Sequence, residues 1–488
     1  VLWVALELPA LPLQIVQRAG ATRRPLVISE GPEQRPVVIC ANEAAQSAGV
    51  REGQAIAAAK ALAMDLRVLA RDRLVERETL ERLAAWGGQF THMSCVDGQG
   101  IALEVEASVK LFSGHAKLAS AIRRGIRDLG FHATLGIAPT ALAARLFARA
   151  EANGLQVRGC LDLTALRERV AGLPLFLLDW PARTLAHLTD LGVVRMRDML
   201  DLPMEGVARR FGPEIAICLG RLMGTIADPR EPYSPPPRFR ARLELPAEAN
   251  GVDALLFPLR RMLVEMEGTL RGRGAGIQQL VLWLEHGRKR RTRLDLEFAS
   301  PERESDFILS ITREKLGRLT LPAATIALDL RADALLPFVP RESTWLPGAK
   351  EQAIGRDRLI QRLSARLGRE RVFGIAIADD HRPDRGWKMV SDTISYEMVS
   401  DTDRVADRVE RPTWLLNRPR RLITRNDAPS YQGDLTFIAG PERIESGWWD
   451  GAEVRRDYYV AANARGETFW IFREHRGEQG WYMHGVFA

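Results

Sequence analysis

The sequence predicts an α+β protein of several domains, and three observations carry that prediction. The chain has 488 residues, well past the length at which a single hydrophobic core stops growing. Residues 1–170 alternate short apolar runs with Ala-rich amphipathic stretches, whereas 171–231 hold short helical patterns broken by Gly and Pro. Beyond the Pro-rich linker DPREPYSPPPR (228–238) the patterns run strand, helix, strand, strand, helix, strand.

In the first region WVALEL (3–8) reads as a strand buried on both faces, with Ala5 and Glu7 on one side by the two-residue pleat. RPLVIS, PVVICA and LRVLA read as strands, NEAAQSAGV and QAIAAAKALA as short helices between them. LVERETLERLAAWGGQF has helical spacing, IALEVEAS alternates as a strand, and KLASAIRRGIRDLG followed by FHATLGIAP reads helix then strand. In 171–231 Leu185, His187 and Leu188, followed by Leu191, Gly192 and Val193, suggest a helix-hairpin-helix. A Gly turn there could offer backbone N–H groups to a phosphate, and a plain helix C-cap at Gly192 is the alternative.

In the third region RFRARLEL alternates as a strand, and VDALLFPLRRMLVEMEGTL puts Leu255, Leu256, Leu259, Leu263, Met266 and Leu270 on one helical face. IQQLVLWLEHG and RTRLDLEF form a hairpin, PERESDFILSITREKLG a second helix and ATIALDLRA a fourth strand, which makes residues 238–335 a ferredoxin-like βαββαβ unit. Arg238, Arg240 and Arg242 share one parity. The hairpin turn adds Arg288, Lys289, Arg290, Arg291 and Arg293, so one sheet region gathers the positive charge that a nucleic-acid backbone needs. A solvated sheet face is the alternative.

From about 341 the pattern turns irregular: RESTWLPGAKEQ is loop-like, GRDRLIQRLSARLG an amphipathic helix, and 370–430 charged and Pro-interrupted. Order returns in EVRRDYYVAANARGETFWIFREHRGEQGWYMHGVFA, which reads as three strands joined by Gly turns. The region is rich in Trp, with Trp387, Trp414, Trp448, Trp449, Trp470 and Trp481, a composition suited to a small core, a partner surface or both.

Composition narrows the function classes. Lys and Arg number 69 against 62 Asp and Glu, a net charge of +7, which permits contact with a polyanion. The four cysteines (Cys40, Cys95, Cys160 and Cys218) are far apart with no CxxC pair, so neither a zinc knuckle nor a disulfide framework is indicated, and a reducing cytoplasm is expected. No apolar run reaches eighteen residues and no secretory signal pattern opens the chain, so no membrane contact is expected.

VVICANEAAQSAGVREGQAIAAAKAL resembles the fingers of Y-family translesion DNA polymerases, and TLGIAPTALAARLFARAEANG resembles their later palm motif. The resemblance covers roughly residues 1–335 and implies palm and fingers over 1–170, a helical thumb over 171–231 and a little finger over 238–335. GPERIESGWWDG, RRDYYV and WYMHGVFA resemble the tail of the ImuB-like, polymerase-related proteins of the bacterial mutasome. On this reading 336–439 is a linker region with a clamp-binding candidate and 440–488 an aromatic β tail.

Polymerisation in that family depends on three carboxylates that clamp two Mg²⁺ ions. The resemblance places Ala5 at the first of them, and SCVDGQG keeps Asp97 but has Gly98 in place of the next acid. Glu7 and Glu104 are the remaining candidates for a rearranged site. Where the family holds the triphosphate with Tyr and Arg, this chain reads Asn42-Glu43-Ala44-Ala45-Gln46, and Ala141 stands at the usual Lys. The resemblance therefore implies a pseudoenzyme without catalytic, metal-binding or cofactor residues, a DNA-binding adaptor in damage-induced translesion synthesis. Its implied partners are primer-template DNA, the sliding clamp, an error-prone replicative-type polymerase and a RecA-like protein of the ImuA type, at the nucleoid in the cytoplasm. The other reading is an active low-fidelity polymerase with displaced acids. In RESTWLP, Glu342 replaces the family's Gln and leaves Trp345 and Leu346 as clamp anchors. Trp448, Trp449, Tyr458, Tyr459, Trp470 and Trp481 are the partner-binding candidates of the tail.

Overall fold

The run WVALE (Trp3–Glu7) is buried along its whole length because it is a central strand, paired on one side with Gly100–Glu104 and on the other with Thr134–Ala138. With Met93–Asp97 outside Gly100–Glu104, these strands form a four-stranded antiparallel palm sheet. The structure is a computed structural model and describes all of residues 1–488 except 21, 23, 158, 288–289, 339–348, 369–370, 379, 391–410 and 488. It divides into two compact units, Val1–Gly348 and Ala349–Ala488.

One face of the palm sheet has a row of small residues. Ala5 lies opposite Ala102 and Gly136, and Ala102 opposite Cys95. A Cβ at Gly136 would come within 1.9 Å of the Ala144 carbonyl, so the Ala-rich helix Ala141–Ala152 can lie unusually close on this row. Thr140 caps that helix by accepting from the Ala143 amide. The helices Arg73–Gly87 and His115–Asp128 contribute Trp86, Leu83, Ile122 and Ile126 to the core on the other side.

In the fingers Leu26–Glu30 pairs antiparallel with Val37–Ala41 and parallel with Arg67–Ala70. Asn42 caps the Glu43–Ser47 helix through its side-chain oxygen, which accepts from the Ala45 and Leu26 amides, while its amide group donates to the Arg24 carbonyl. The thumb is a set of short helices. Between Ala182–Asp190 and Met196–Leu200 the chain turns at Gly192, whose φ of +79° is the left-handed conformation that glycine adopts without strain.

The little finger has the expected βαββαβ order, with Arg291–Glu302, Ala275–His286, Thr325–Ala332 and Phe239–Ala249 side by side and helices Val252–Gly272 and Ser305–Leu316. The first helix buries more than the face the periodicity marks. Leu255, Leu259, Leu263, Met266 and Leu270 are all buried as expected, Leu256 only partly, and Glu265, Gly268 and Thr269 are buried as well. Gly268 admits Trp86, since a Cβ there would lie 2.2 Å from its ring, and a Cβ at Gly272 would lie 2.7 Å from the Gly88 backbone. At this contact Glu265, 1 % exposed, is bound by Arg18 and, at 2.9 Å, by Arg82. Burial alone would raise the Glu265 pKa, and the two guanidinium groups hold it below the ordinary value. Breaking such a buried pair costs about 3–5 kcal/mol, because it leaves an uncompensated charge.

In the second unit Trp414–Arg421, Gly480–Val486, Thr468–Glu474, Val454–Ala462 and Thr436–Ser446 form one sheet in that spatial order. The expected three strands are present, and two more join them from residues the sequence reading placed wholly or partly in the linker region 336–439. Their alternation is masked by prolines and charge, as in WLLNRPRR, so pairing rather than pattern reveals them. Among the described residues no helix is long and apolar enough to cross a membrane, and the four cysteines are free thiols.

Candidate functional site: the palm row and the basic surfaces

Strand register decides which acids meet. Glu7 and Asp97 both lie opposite Gly100, so they flank it in one row at the end of the sheet. Glu104 lies opposite Trp3 at the other end, and its carboxylate accepts from the Glu106 amide at 3.0 Å. It takes no part in the row, which corrects the expectation of a possible rearranged triad with Glu104. Ala5 is 2 % exposed and belongs to the same buried cluster as Ala102, Ala144 and Phe147.

The row is covered by arginines. Arg145 and Arg149, four residues apart on the Ala141–Ala152 helix, project over it from the same helical face. Arg145 Nη1 is 3.3 Å from Asp97 Oδ1, Arg145 Nε is 3.7 Å from Glu7 Oε2, and Arg149 Nε is 4.0 Å from Glu7 Oε1. Both guanidinium groups also bind Asp179, at the entrance to the thumb. From the linker Arg230 reaches Asp97 Oδ2 at 3.1 Å and Asp228 at 2.8 Å, and the Tyr233 amide donates to the Ser94 carbonyl at 2.7 Å. Burial pushes the Glu7 pKa up, against the pull of Arg145 and Arg149. Gly98 has φ +62°, and a Cβ placed on it would lie 2.0 Å from Arg145 Nη2, so Arg145 stands where a residue-98 side chain would extend.

A pair of divalent cations needs several anionic oxygens free to coordinate them. Here Glu7 and Asp97 face guanidinium groups instead, and no group of three or more His, Cys, Asp or Glu among the described residues could hold a metal ion. The residues present do not fit the two-metal centre of a polymerase. Arg145, Arg149, Arg230, Asp179 and Asp228 escaped the sequence reading. The one available signal was the Arg pair at i and i+4 on an otherwise Ala-rich helix.

The candidate DNA contacts divide. At Gly192 the expected free N–H groups are already used: the Gly192 amide donates to Thr189, Val193 to Leu188, and Val194 and Arg195 to Asp198. Gly192 thus ends the helix as a glycine C-cap, and the Arg195 and Val194 amides beyond it are taken by the Asp198 carboxylate, which they hold below its ordinary pKa. On the little finger Arg240 and Arg242 are exposed on one sheet face as their parity requires, as is Arg291. Each is paired: Arg240 with Asp333 at 2.9 Å, Arg242 with Glu244 and Glu285 at 2.8 and 2.9 Å, Arg291 with Glu285 at 2.8 Å, and Arg293 with Asp295 at 2.7 Å. By register the face carries Arg240, Arg242, Arg291, Arg293 and Arg331 against Glu244, Glu285, Asp295, Glu297 and Asp329, so it is charge-balanced rather than basic. Counting only the arginines overstated it. Arg238, Arg240 and Arg242 also line a cleft of about 500 Å³ with Arg82, Glu78 and Glu81. Arg238 and Arg290 are exposed, and Arg288 and Lys289 lie outside the described residues.

Trp345 and Leu346, the clamp candidates, also lie outside the described residues. In the tail, Trp448 and Trp449 are 76 % and 56 % exposed and meet edge to face at 5.5 Å. Tyr459 is partly buried. Tyr458, Trp470 and Trp481 are 1 %, 1 % and 6 % exposed and form the cores of the tail sheet, which corrects their assignment to a partner surface: a side chain with no exposed area has none to offer. Arg382 binds both Asp380 and Asp450 and so fastens the turn that carries the two exposed tryptophans.

Residues 13–149 match the impB/mucB/samB family. Over 474 residues the chain is 28 % identical to Protein ImuB of Caulobacter vibrioides (strain NA1000 / CB15N), an alignment covering 90 % of this chain and 100 % of that protein. It is 26 % identical over 257 residues to DNA polymerase IV of Dehalococcoides mccartyi (strain CBDB1), covering 51 % of this chain and 65 % of that one. Among solved structures, DinB from Sulfolobus solfataricus superimposes with a TM-score of 0.39 at 16 % identity, over 70 % of this chain and 100 % of that chain. The chain thus opens with a segment that matches the impB/mucB/samB family and is similar to Protein ImuB over nine-tenths of its length.

Proposed function

We propose that the protein is a non-catalytic, DNA-binding adaptor in damage-induced translesion synthesis. In this role it links primer-template DNA to a sliding clamp, an error-prone replicative-type polymerase and a RecA-like partner at the nucleoid. The observation that carries the reading is the palm row, where guanidinium groups of Arg145 and Arg230 engage the acids that metal ions would need. The similarity to Protein ImuB supports it, as does the loss of phosphate ligands in the fingers, where Asn42 is spent on capping and Glu43 would repel a triphosphate. DNA contact falls to Arg238 and Arg290, with Arg288 and Lys289, and to the paired arginines Arg240, Arg242, Arg291 and Arg293 once DNA displaces their carboxylates. Clamp contact falls to Trp345 and Leu346, and contact with the RecA-like partner to Trp448 and Trp449.

The competing reading, an active low-fidelity polymerase, draws on the shared row of Glu7 and Asp97. Primer extension separates the two. The purified chain is expected to add no nucleotide to a primed template with Mg²⁺ or Mn²⁺, whereas extension that disappears in Glu7→Ala or Asp97→Ala would establish the polymerase.

A further inference from the structure

Arg240, Arg242, Arg291 and Arg293 of the little finger are all held by carboxylates, and the tail treats its arginines differently. Residues 411–425, RPTWLLNRPRRLITR, hold five arginines and no acid. Arg411 is spent on Glu442 and on the ring of Trp470, 4.8 Å from its centroid. Arg421 meets Glu478 at 3.8 Å, and that acid is itself 85 % exposed. Arg418 and Arg425 are exposed and pair with no carboxylate among the described residues. Arg420 has a tyrosine for a neighbour instead of an acid: it lies 5.3 Å over the ring of Tyr431 and donates to its hydroxyl at 3.5 Å.

The strand that carries most of them, Trp414–Arg421, is an edge of the tail sheet. Trp414 lies opposite Val486 and so in a row with Phe469, while Arg420 lies opposite Met483 and in a row with Ile471. Phe469 and Ile471 are two apart on one strand, so Trp414 and Arg420 share a face, their rows about 7 Å apart. Tyr431 packs on the same face, its ring 5.3 Å from that of Phe469. Between Leu415 and Arg420 the edge strand advances five residues while its partner advances two, from Gly485 to Met483, so 416–419 bulge from the sheet and carry Arg418 out with them. Trp414 is 68 % exposed.

Unpaired guanidinium groups suit phosphates, and an exposed ring beside them suits a base face. A duplex cannot use the ring, because its bases are already stacked on one another, and an acidic protein does not need it. A single strand uses both. We propose that this edge is a second DNA site, selective for a single strand, in which Arg418, Arg420 and Arg425 take phosphates and Trp414 stacks on a base. The inference rests on the DNA-binding part of the proposed function and adds to it the kind of DNA that the tail takes, while duplex contact stays with the first unit.

The test is fluorescence anisotropy on the full-length chain with two labelled probes, a dT oligonucleotide of about 12 nucleotides and a duplex. Trp414→Ala is expected to weaken dT binding about tenfold, the loss of stacking on one base. Arg418→Gln combined with Arg425→Gln is expected to weaken it as well and to flatten the slope of log K against log salt by up to about 1.4, about 0.7 for each phosphate. These side chains are exposed and hold no ion pair, so the variants keep the wild-type fold by circular dichroism, and duplex affinity is expected to be unchanged. Arg455→Gln, an exposed tail arginine bound to Glu445 at 2.8 Å, is expected to change neither. The proposal is overturned if dT affinity survives both sets of changes, if duplex affinity falls in parallel, or if polyglutamate displaces the dT probe as well as unlabelled dT does, which would make the edge a site for an acidic protein. Intact dT binding in the variants of a chain that binds duplex removes the tail site alone, whereas a chain that binds neither probe removes the DNA-binding reading with it.

Discussion

His484 is 2 % exposed, its Nδ1 lies 2.8 Å from the Tyr458 hydroxyl, and its ring stacks on Trp470 at 5.7 Å. Burial pushes its pKa down from 6.5 to about 4, with the Arg456 charge adding to the shift and Asp384 opposing it. An unfolded chain takes up this proton as pH falls through 6.5, while the folded tail refuses it until about 4. The stability conferred by a neutral His484 is therefore whole above pH 6.5, is lost across that window and is fully lost below it, an effect of about 3 kcal/mol. Asp380, Asp450 and Asp457 are held well below the ordinary carboxylate value by hydrogen bonds from Arg382 and Arg443, so their titration falls at lower pH. Urea unfolding followed by tail tryptophan fluorescence should show the loss between pH 6.5 and 4. His484→Phe should unfold more easily at neutral pH, for want of the Tyr458 hydrogen bond, yet show a flat pH dependence across the window. An unchanged slope in the variant would assign the proton to another group.

The little-finger sheet shows how an element's alternation can be legible while its electrostatics are not. RFRARLEL announced both the strand and the outward parity of Arg240 and Arg242, and the hairpin and helices followed from pattern alone. The carboxylates that balance them come from other strands, Glu285 from Ala275–His286 and Asp295 from Arg291–Glu302, so the charge of the face depends on register. Glu285 is the central acid, shared by Arg242 and Arg291. Converting it to Gln keeps its shape, frees Arg291 for phosphates and leaves Arg242 with Glu244 as its one remaining charge partner. Glu285→Gln is therefore expected to raise affinity for duplex DNA and to steepen the dependence of log K on log salt by up to about 2, measured by anisotropy at several salt concentrations. A variant with wild-type affinity and slope would show that this face does not meet DNA. The palm site failed to be legible for the same reason: Ala5 and Gly98 can be read in line, but the arginines that cover the row come from positions 145, 149 and 230, and no periodicity links these to Glu7 and Asp97.

Across the whole chain the tail is a unit with its own interior, and the boundary drawn from sequence at 440 cuts through it. Strand Trp414–Arg421 pairs with Gly480–Val486, and Leu422 and Leu435 share a buried cluster with Ile471, Trp481 and Met483. Tryptophans that look alike in sequence divide here by burial: Trp470 and Trp481 hold this interior together, and Trp448 and Trp449 stand outside it. A chain ending at 439 keeps Leu422, Leu435 and the Trp414–Arg421 strand but loses the strand that pairs with Trp414–Arg421 and the Ala461, Phe469, Ile471, Trp481 and Met483 side chains that cover the two leucines, leaving apolar area and an open strand edge to water. A chain ending at 348 removes the unit whole and disturbs none of the packing within Val1–Gly348. The shorter chain is therefore expected to be the better behaved: monodisperse by size exclusion, silent to a hydrophobic dye and unaltered in duplex DNA affinity. The 1–439 chain is expected to bind the dye and aggregate. Equal solubility of the two would mean that the five strands do not fold as one unit. Loss of duplex DNA affinity in the 1–348 chain would mean that the tail, and not the little finger, makes the main contact with the duplex.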